Sequence, residues 1–236
     1  MYRNFIPLFL FIALVLLINC KHDPEEILVI NDTTGTPIIV DPCDPDTSYF
    51  KNEVLPILLS SCAKSGCHDA ITAEHNVILT DYTNIIQTGE VTPFDPSDSK
   101  LYEVITDSDP NDRMPSQPDA PLTSSQISII YKWIIQGALN NSCDGGPCDS
   151  INVTYSGTVW PIVQNYCFGC HSGTTPQGNV SLDSYFTVAG AANDGSLYGA
   201  ISHSPPYSFM PKNGQKLNNC NIAQIKKWID EGAQNN

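Results

Sequence analysis

The chain has 236 residues, enough for one large domain or two small ones. It carries 25 acidic and 11 basic side chains, and its formal net charge is −14. This balance argues against nucleic-acid binding, because a protein that holds a phosphate backbone neutralises it with Lys and Arg. An acidic surface instead favours basic partners or simple solubility.

The N-terminal segment predicts export. Arg3 supplies a positive charge, and the mostly apolar run 5–18 is too short and too early for a transmembrane helix, so residues 1–19 are interpreted as a secretory signal peptide. The run ends in Leu17-Ile18-Asn19-Cys20, which resembles a lipobox and implies lipidation of the Cys20 thiol. Several acyl chains would anchor the protein firmly at a membrane surface. A plain signal peptide without lipidation is the alternative.

Residues 20–42 are predicted to be a linker from this anchor, because they are rich in Pro, Asp and Thr and lack periodicity. The charged run 21–26 resembles the acidic tags that direct some lipoproteins to the outer surface, although a solvated tether is the simpler interpretation. We therefore expect a protein of the cell envelope, anchored at the outer membrane, facing the periplasm or exposed on the cell surface.

The rest of the chain is predicted to be two copies of one module, 43–143 and 144–236. The opening segments match at an offset of 105 residues, and their apolar positions fit one face of a helix. A proline in each helix is expected to kink it or to mark its start. The matched pairs are Cys43 and Cys148, Phe50 and Tyr155, Val54 and Val159, Pro56 and Pro161, Ile57 and Ile162, and Leu58 and Val163.

Each module is predicted to close with a further helix, whose Lys-Trp-Ile sequence recurs in both copies. The segment from Thr123 to Gln126 forms a capping box before the first closing helix, and Asn218 caps the second. Gly137 and Gly232 are expected to end these helices.

Between the opening and closing helices, each module carries two cysteines followed by a histidine. In the second module, Cys167-Phe168-Gly169-Cys170-His171 matches the Cys-x-x-Cys-His signature of covalent c-type haem attachment. Two thiols must reach the two vinyl groups of one porphyrin, and the next side chain must present an imidazole to the iron. In the first module, Cys67 and His68 are adjacent as required, but four residues separate Cys67 from Cys62. A zinc site, or a disulfide within each pair, is the alternative.

At these residues the chain resembles class I-like cytochromes c, in a tandem di-haem form. The resemblance implies a mainly α fold, with two small helical domains that each wrap around one covalent haem c. Modules of about 100 residues bury only a marginal apolar core, and a porphyrin would supply part of it. The residues implied in covalent attachment are Cys62, Cys67, Cys167 and Cys170, and the proximal iron ligands are His68 and His171.

Met114 and Met210 each precede a proline, at matched positions before the closing helices. In the family this chain resembles, a Met-Pro loop carries the distal iron ligand, and His/Met ligation raises the haem potential. Flexible core filling is the alternative role for a methionine. His203, close before Met210, could instead be a rival ligand or a partner of a haem propionate, although we interpret it as a surface residue.

Four further cysteines are disulfide candidates, since an exported chain favours their oxidation. Four cysteines allow three pairings. We expect Cys43–Cys143 and Cys148–Cys220, which would each clamp the first helix of a module to its last segment. A Cys143–Cys148 bridge across the loop between the modules, which would leave Cys43 to pair with Cys220, is the main competing arrangement.

The predicted function is electron transfer, because a haem with both axial positions filled binds no substrate. The expected partners are redox proteins, with basic ones favoured by the charge, and neither nucleic acid nor a soluble small-molecule substrate is expected. The protein is thus more a carrier than a catalyst. One alternative is a di-haem peroxidase-like enzyme, or a cytochrome subunit of a dehydrogenase or oxidase. Another is a non-haem disulfide or zinc scaffold that binds partners at the cell surface.

Overall fold

The computed structural model describes residues 29–31, 37–39, 43–143, 148–212 and 216–236. The chain divides into two units, Met1–Val40 and Asp41–Asn236. The predicted signal peptide and Cys20 lie outside the described residues. Both predicted modules fall within the second unit.

The described part of the first unit is a pair of short strands, β1 (Val29–Asn31) and β2 (Pro37–Ile39). They run antiparallel, with Val29 opposite Ile39. The composition of this segment predicts an irregular linker, so the pairing is a departure from that expectation. Its physical basis is local, because β-branched Val and Ile flank a short segment that contains a glycine.

The second unit is built from helices, and each half has its own hydrophobic cluster. The first half contains α1 (Leu55–Ser61), α2 (Tyr82–Thr88), α3 (Lys100–Thr106) and α4 (Ser124–Ile135). The second half contains α5 (Trp160–Tyr166), α6 (Tyr185–Asn193), α7 (Ser196–Ser202) and α8 (Asn219–Asp230). The predicted mainly α fold class is confirmed. Within the described residues, no helix combines the length and the apolar character that a membrane crossing requires.

Each half opens with the same compound helix. A π-helical turn, Phe50–Val54 or Tyr155–Val159, leads directly into α1 or α5. The proline lies in the first turn of the α-helix, where its missing N–H removes no intrahelical bond. It therefore marks the start of the α-helix. The predicted apolar face of the first copy is confirmed, since Phe50, Val54, Ile57 and Leu58 are all buried.

The closing helices have the caps that the sequence predicts. The Thr123 side chain accepts a bond from the Gln126 N–H, and the Gln126 side chain completes the capping box. Asn218 caps α8 by accepting from Asn221 N–H. At the other end, Gly137 and Gly232 adopt φ values of +98° and +90°, a left-handed conformation that glycine adopts without a Cβ penalty.

An aromatic group joins the opening and closing helices in each half. Phe50 lies 5.4 Å from Trp133 and 5.2 Å from Tyr82, measured between ring centroids. In the second half the corresponding distances from Tyr155 are 5.6 Å to Trp228 and 5.1 Å to Tyr185. The two tryptophans are almost fully buried, so these rings form the centre of each core.

An asparagine after each closing helix binds the start of the opening helix. The Asn141 side chain accepts from the Phe50 N–H at 2.8 Å, and its main-chain oxygen accepts from the next N–H. Asn236 makes the equivalent bonds to Tyr155 N–H, at 2.7 Å, and to Ser156 N–H. These bonds satisfy main-chain donors that the first turn of a helix otherwise leaves unpaired.

Candidate functional site

The two Cys–Cys–His segments follow α1 and α5 and share one backbone arrangement. In the second half, the His171 N–H donates to the Cys167 carbonyl at 2.9 Å. In the first half, the His68 N–H donates to the Cys62 carbonyl at 3.2 Å, although the intervening loop is two residues longer. Despite the extra length, the histidine thus returns to the same carbonyl as in the standard spacing.

Equivalent main-chain hydrogen bonds hold the segment that follows each histidine in the two halves. A main-chain N–H further along the chain donates to the carbonyl of the second cysteine, and another donates to the carbonyl of the histidine. In the first half these donors are Glu74 and Leu79, and in the second they are Gln177 and Leu182. The two histidines thus occupy equivalent backbone positions in the two halves.

The His171 imidazole is oriented by a main-chain carbonyl. Its Nδ1 lies 3.0 Å from the Val180 oxygen. Because a carbonyl only accepts, Nδ1 carries the proton and the lone pair lies on Nε2, which makes no hydrogen bond to the described residues. His68 differs, since its Nδ1 is buried without a hydrogen-bond partner in the described part of the chain. An unpaired ring nitrogen in the interior is costly unless a metal or another group satisfies it.

The four motif cysteines are free thiols in the structure, so neither motif contains the alternative internal disulfide. Burial raises the pKa of Cys62 and of Cys167 to about 12. The pKa values of Cys67 and Cys170 are also raised, again chiefly by burial. These thiols are therefore protonated at neutral pH. Within the described ranges, no three or more His, Cys, Asp or Glu side chains are grouped closely enough to hold a metal ion.

Met114 and Met210 lie half-buried on loops that follow α3 and α7. The Met114 N–H donates to the Val104 carbonyl at 2.8 Å, and the Met210 N–H donates to the Ala200 carbonyl at 3.1 Å. The main chain of each methionine is thus hydrogen-bonded to the preceding helix in the same way. Beside Met114, the Nε of Arg113 is buried without a hydrogen-bond partner among the described residues.

His203 is half-buried rather than at the surface, which corrects the sequence-based interpretation. Its Nε2 lies 3.0 Å from the Met210 carbonyl, and its ring stacks on Phe209 at 4.7 Å between centroids. The carbonyl accepts, so Nε2 is the protonated nitrogen. The His203 side chain therefore holds the Met210 loop through the main-chain oxygen of Met210. Composition alone gives no signal for such a contact, because its acceptor is a main-chain oxygen.

The predicted disulfide pairing is confirmed. Cys43 is joined to Cys143 and Cys148 to Cys220, with Cα–Cα distances of 5.5 Å and 5.4 Å. Each bridge lies within one half of the unit and ties the segment before the opening helix to the closing segment or helix. The competing Cys143–Cys148 arrangement is absent.

The two motif segments contact each other through α1 and α5. The Cys170 Sγ lies 3.3 Å from the Ser60 carbonyl, and the Ser60 hydroxyl donates to the Asn165 carbonyl at 3.0 Å. Ser60 and Asn165 are separated by 105 residues, the repeat offset, so matched positions meet each other. Such self-matched contacts are typical of an approximate two-fold axis between two similar bodies. No sequence motif marks this junction.

The sequence and structure were compared with those of known proteins. No protein-family model, curated protein or solved structure matches the chain. The function of this chain therefore has to follow from its own residues and their geometry.

Proposed function

We propose that the protein is a di-haem c-type cytochrome that passes electrons between redox proteins at the cell envelope. The observation that carries this proposal is the state of His171. Its Nδ1 is bound to the Val180 carbonyl, so Nε2 of the neutral ring is the nitrogen that could bind iron, and the two cysteines that precede it in the motif are reduced. A metal-binding histidine usually donates its other N–H to a carbonyl or carboxylate, which fixes the tautomer and the ring orientation.

The thiols of each pair suit covalent attachment. Cys167 and Cys170 are free, and they precede the histidine by the spacing of the c-type signature. Cys62 and Cys67 are free too, and their longer loop leaves the relation between Cys62 and His68 unchanged. The His68 Nδ1, the atom equivalent to the bonded Nδ1 of His171, is buried without a hydrogen-bond partner among the described residues, so the two imidazoles are held differently.

The methionines and one arginine complete the donor set. Thioether sulfur favours Fe(II), so Met114 and Met210 in matched loops would raise the potential of each haem. The unpaired guanidinium nitrogen of Arg113 suits a carboxylate, and haem carries two propionate carboxylates. A haem would supply reversible one-electron chemistry when bound.

The chain itself has three tasks in this function. The cysteine thiols would hold the group covalently, and the Val180 carbonyl orients the His171 imidazole that would bind its iron. Cys62 belongs to the apolar cluster of the first half and Cys167 packs against that of the second, and such burial strengthens the electrostatic effects of nearby charges. The acidic surface implied by the net charge of −14 would attract basic redox partners and speed their association.

An intact-mass measurement combined with redox-titrated absorption spectroscopy tests the proposal. The protein should be expressed in a periplasm with haem maturation and purified as the full mature chain. We expect a mass increment of two haems, with c-type α-bands in the reduced form. A chain without α-bands that binds zinc, or binds no metal, overturns the proposal. Exogenous ligand binding by the untreated protein would replace the carrier function by a peroxidase-like one.

A further inference from the structure

Lys64 is a buried cation in the longer loop of the first motif. Its side chain is 7% exposed, and its Nζ donates to the Gly169 carbonyl of the second motif at 3.2 Å. Gly169 immediately precedes Cys170 and His171. Burial of an ammonium group is costly unless the group is paired and hydrogen-bonded. The buried Nζ of Lys64 therefore depends on the partners that surround it.

Asp119 is the ion-pair partner of Lys64. It lies in the segment between Met114 and α4, and its side chain is 36% exposed. The cation is thus held by one group from the loop after Met114 and by one from the second motif, while its own backbone belongs to the first motif. Lys64 thereby connects both candidate haem sites.

We propose that Lys64 is a charge shared by the two sites, which raises the reduction potential of both haems and is moderated by Asp119. This inference rests on the proposed function. A positive charge disfavours the additional positive charge of Fe(III) and so favours Fe(II), and the effect is large where water is excluded. Because Lys64 lies two residues after Cys62 and contacts the residue before Cys170, neither site is remote from it.

Other lysines of the unit provide a matched control. Lys100 is paired with Glu103 on one helix, and its side chain is 52% exposed. Solvent and salt screen an exposed pair of this kind, so it contributes little to potentials elsewhere. Lys100 and Lys64 therefore differ in burial and position but carry the same charge.

The test is a redox titration of both haems in four variants of the full mature protein. Lys64→Met removes the charge and keeps the apolar stem, so the ferrous-to-ferric ratio at a fixed applied potential should fall at least about threefold at each haem. Lys64→Arg keeps the charge and should retain both potentials. Lys100→Met should change neither. Asp119→Asn removes the opposing charge and should raise both.

The opposite signs for Lys64→Met and Asp119→Asn separate a charge effect from disturbed packing, because a structural defect has no reason to move the potentials in opposite directions. Normal α-bands with unmoved potentials, a shift at one haem only, or shifts of the same sign in both variants overturn the inference and leave the proposed function intact. An absence of α-bands in the wild-type protein overturns both.

Discussion

The backbone of Gly169 lies directly against the carbonyl of Ser60, so that a Cβ at position 169 would overlap the Ser60 carbonyl group and the Ser61 hydroxyl. The x-x positions of a Cys-x-x-Cys-His motif carry no chemical requirement of their own. Here, however, one of them is the point where the second motif meets α1. The contact makes a glycine at this position a requirement of the junction between the two halves.

We predict that Gly169→Ala lowers the free energy of unfolding by about 1–3 kcal/mol, because the added methyl group forces two backbone segments apart. The measurement is urea unfolding followed by circular dichroism. Gly190→Ala is the control, since Gly190 lies in α6 and a Cβ there meets nothing within 4 Å. That variant should be more stable by about 0.5–1 kcal/mol. Equal effects of the two substitutions would show that no close junction exists in solution.

His171→Ala is predicted to remove or destabilise one of two haems. The imidazole that Val180 orients is lost, and no other side chain of the motif replaces it. Intact mass and the α-band intensity report the result, which should correspond to about half of the wild-type haem content. His75→Ala is the control, because His75 is exposed and its counterpart in the second half is Gly178. Normal haem assembly in His171→Ala would exclude His171 as the proximal ligand.

Met210→Ala is predicted to remove about half of the near-infrared sulfur-to-iron charge-transfer band of the oxidised protein. It should also lower one midpoint potential, because the thioether that favours Fe(II) is gone. The same change at Met114 should affect the other haem. His203→Ala should leave the band in place, since the His203 ring is bonded to the main chain of Met210 and stacks on Phe209. If His203→Ala abolishes the band and Met210→Ala does not, the distal ligand has been assigned incorrectly.

Removal of the Cys148–Cys220 bridge by the double change to Ser is predicted to cost about 2–5 kcal/mol of stability. The bridge closes a sequence separation of 72 residues, and its loss returns that freedom to the unfolded chain. Thermal and urea unfolding under oxidising conditions provide the measurement. Addition of a reductant breaks both bridges, so it should destabilise the wild type by more than the double change does, and it should remove the contribution of the Cys43–Cys143 bridge from the double variant. A double variant as stable as the wild type would contradict the pairing.

Cys20→Ser is predicted to release the protein from the membrane fraction, because acyl chains on this thiol are the proposed anchor. Fractionation followed by immunoblotting provides the readout. A substitution in the predicted tether, such as Thr34→Ser, serves as the control and should leave the protein membrane-bound. Retention of Cys20→Ser in the membrane would indicate an uncleaved N-terminal helix instead.

Much of the fold could be predicted from the sequence because its signals are local or repeated. The capping box at Thr123, the cap at Asn218 and the glycines after the closing helices each depend on a few neighbouring residues. The repeat indicated one end of each disulfide, since Cys43 and Cys148 occupy matched positions, whereas Cys143 follows α4 and Cys220 lies in the first turn of α8. The Cys–Cys–His triplets were also visible, because attachment chemistry fixes the residue types and their spacing.

The remaining features depend on main-chain carbonyls and on long-range packing, which the amino-acid sequence does not distinguish. The carbonyls of Val180, Gly169 and Ser60 are main-chain acceptors, which every residue has, so nothing in the sequence distinguishes them. The role of Lys64 is likewise invisible in a list of charges, where it counts as one of 11 basic residues. Only the packing of α1 against α5 removes it from solvent and places it between the two motifs. The sequence alone marked the side chains that are proposed to hold a cofactor. The tertiary structure decided which charges and carbonyls surround them, because long-range packing sets burial and burial sets the strength of each interaction.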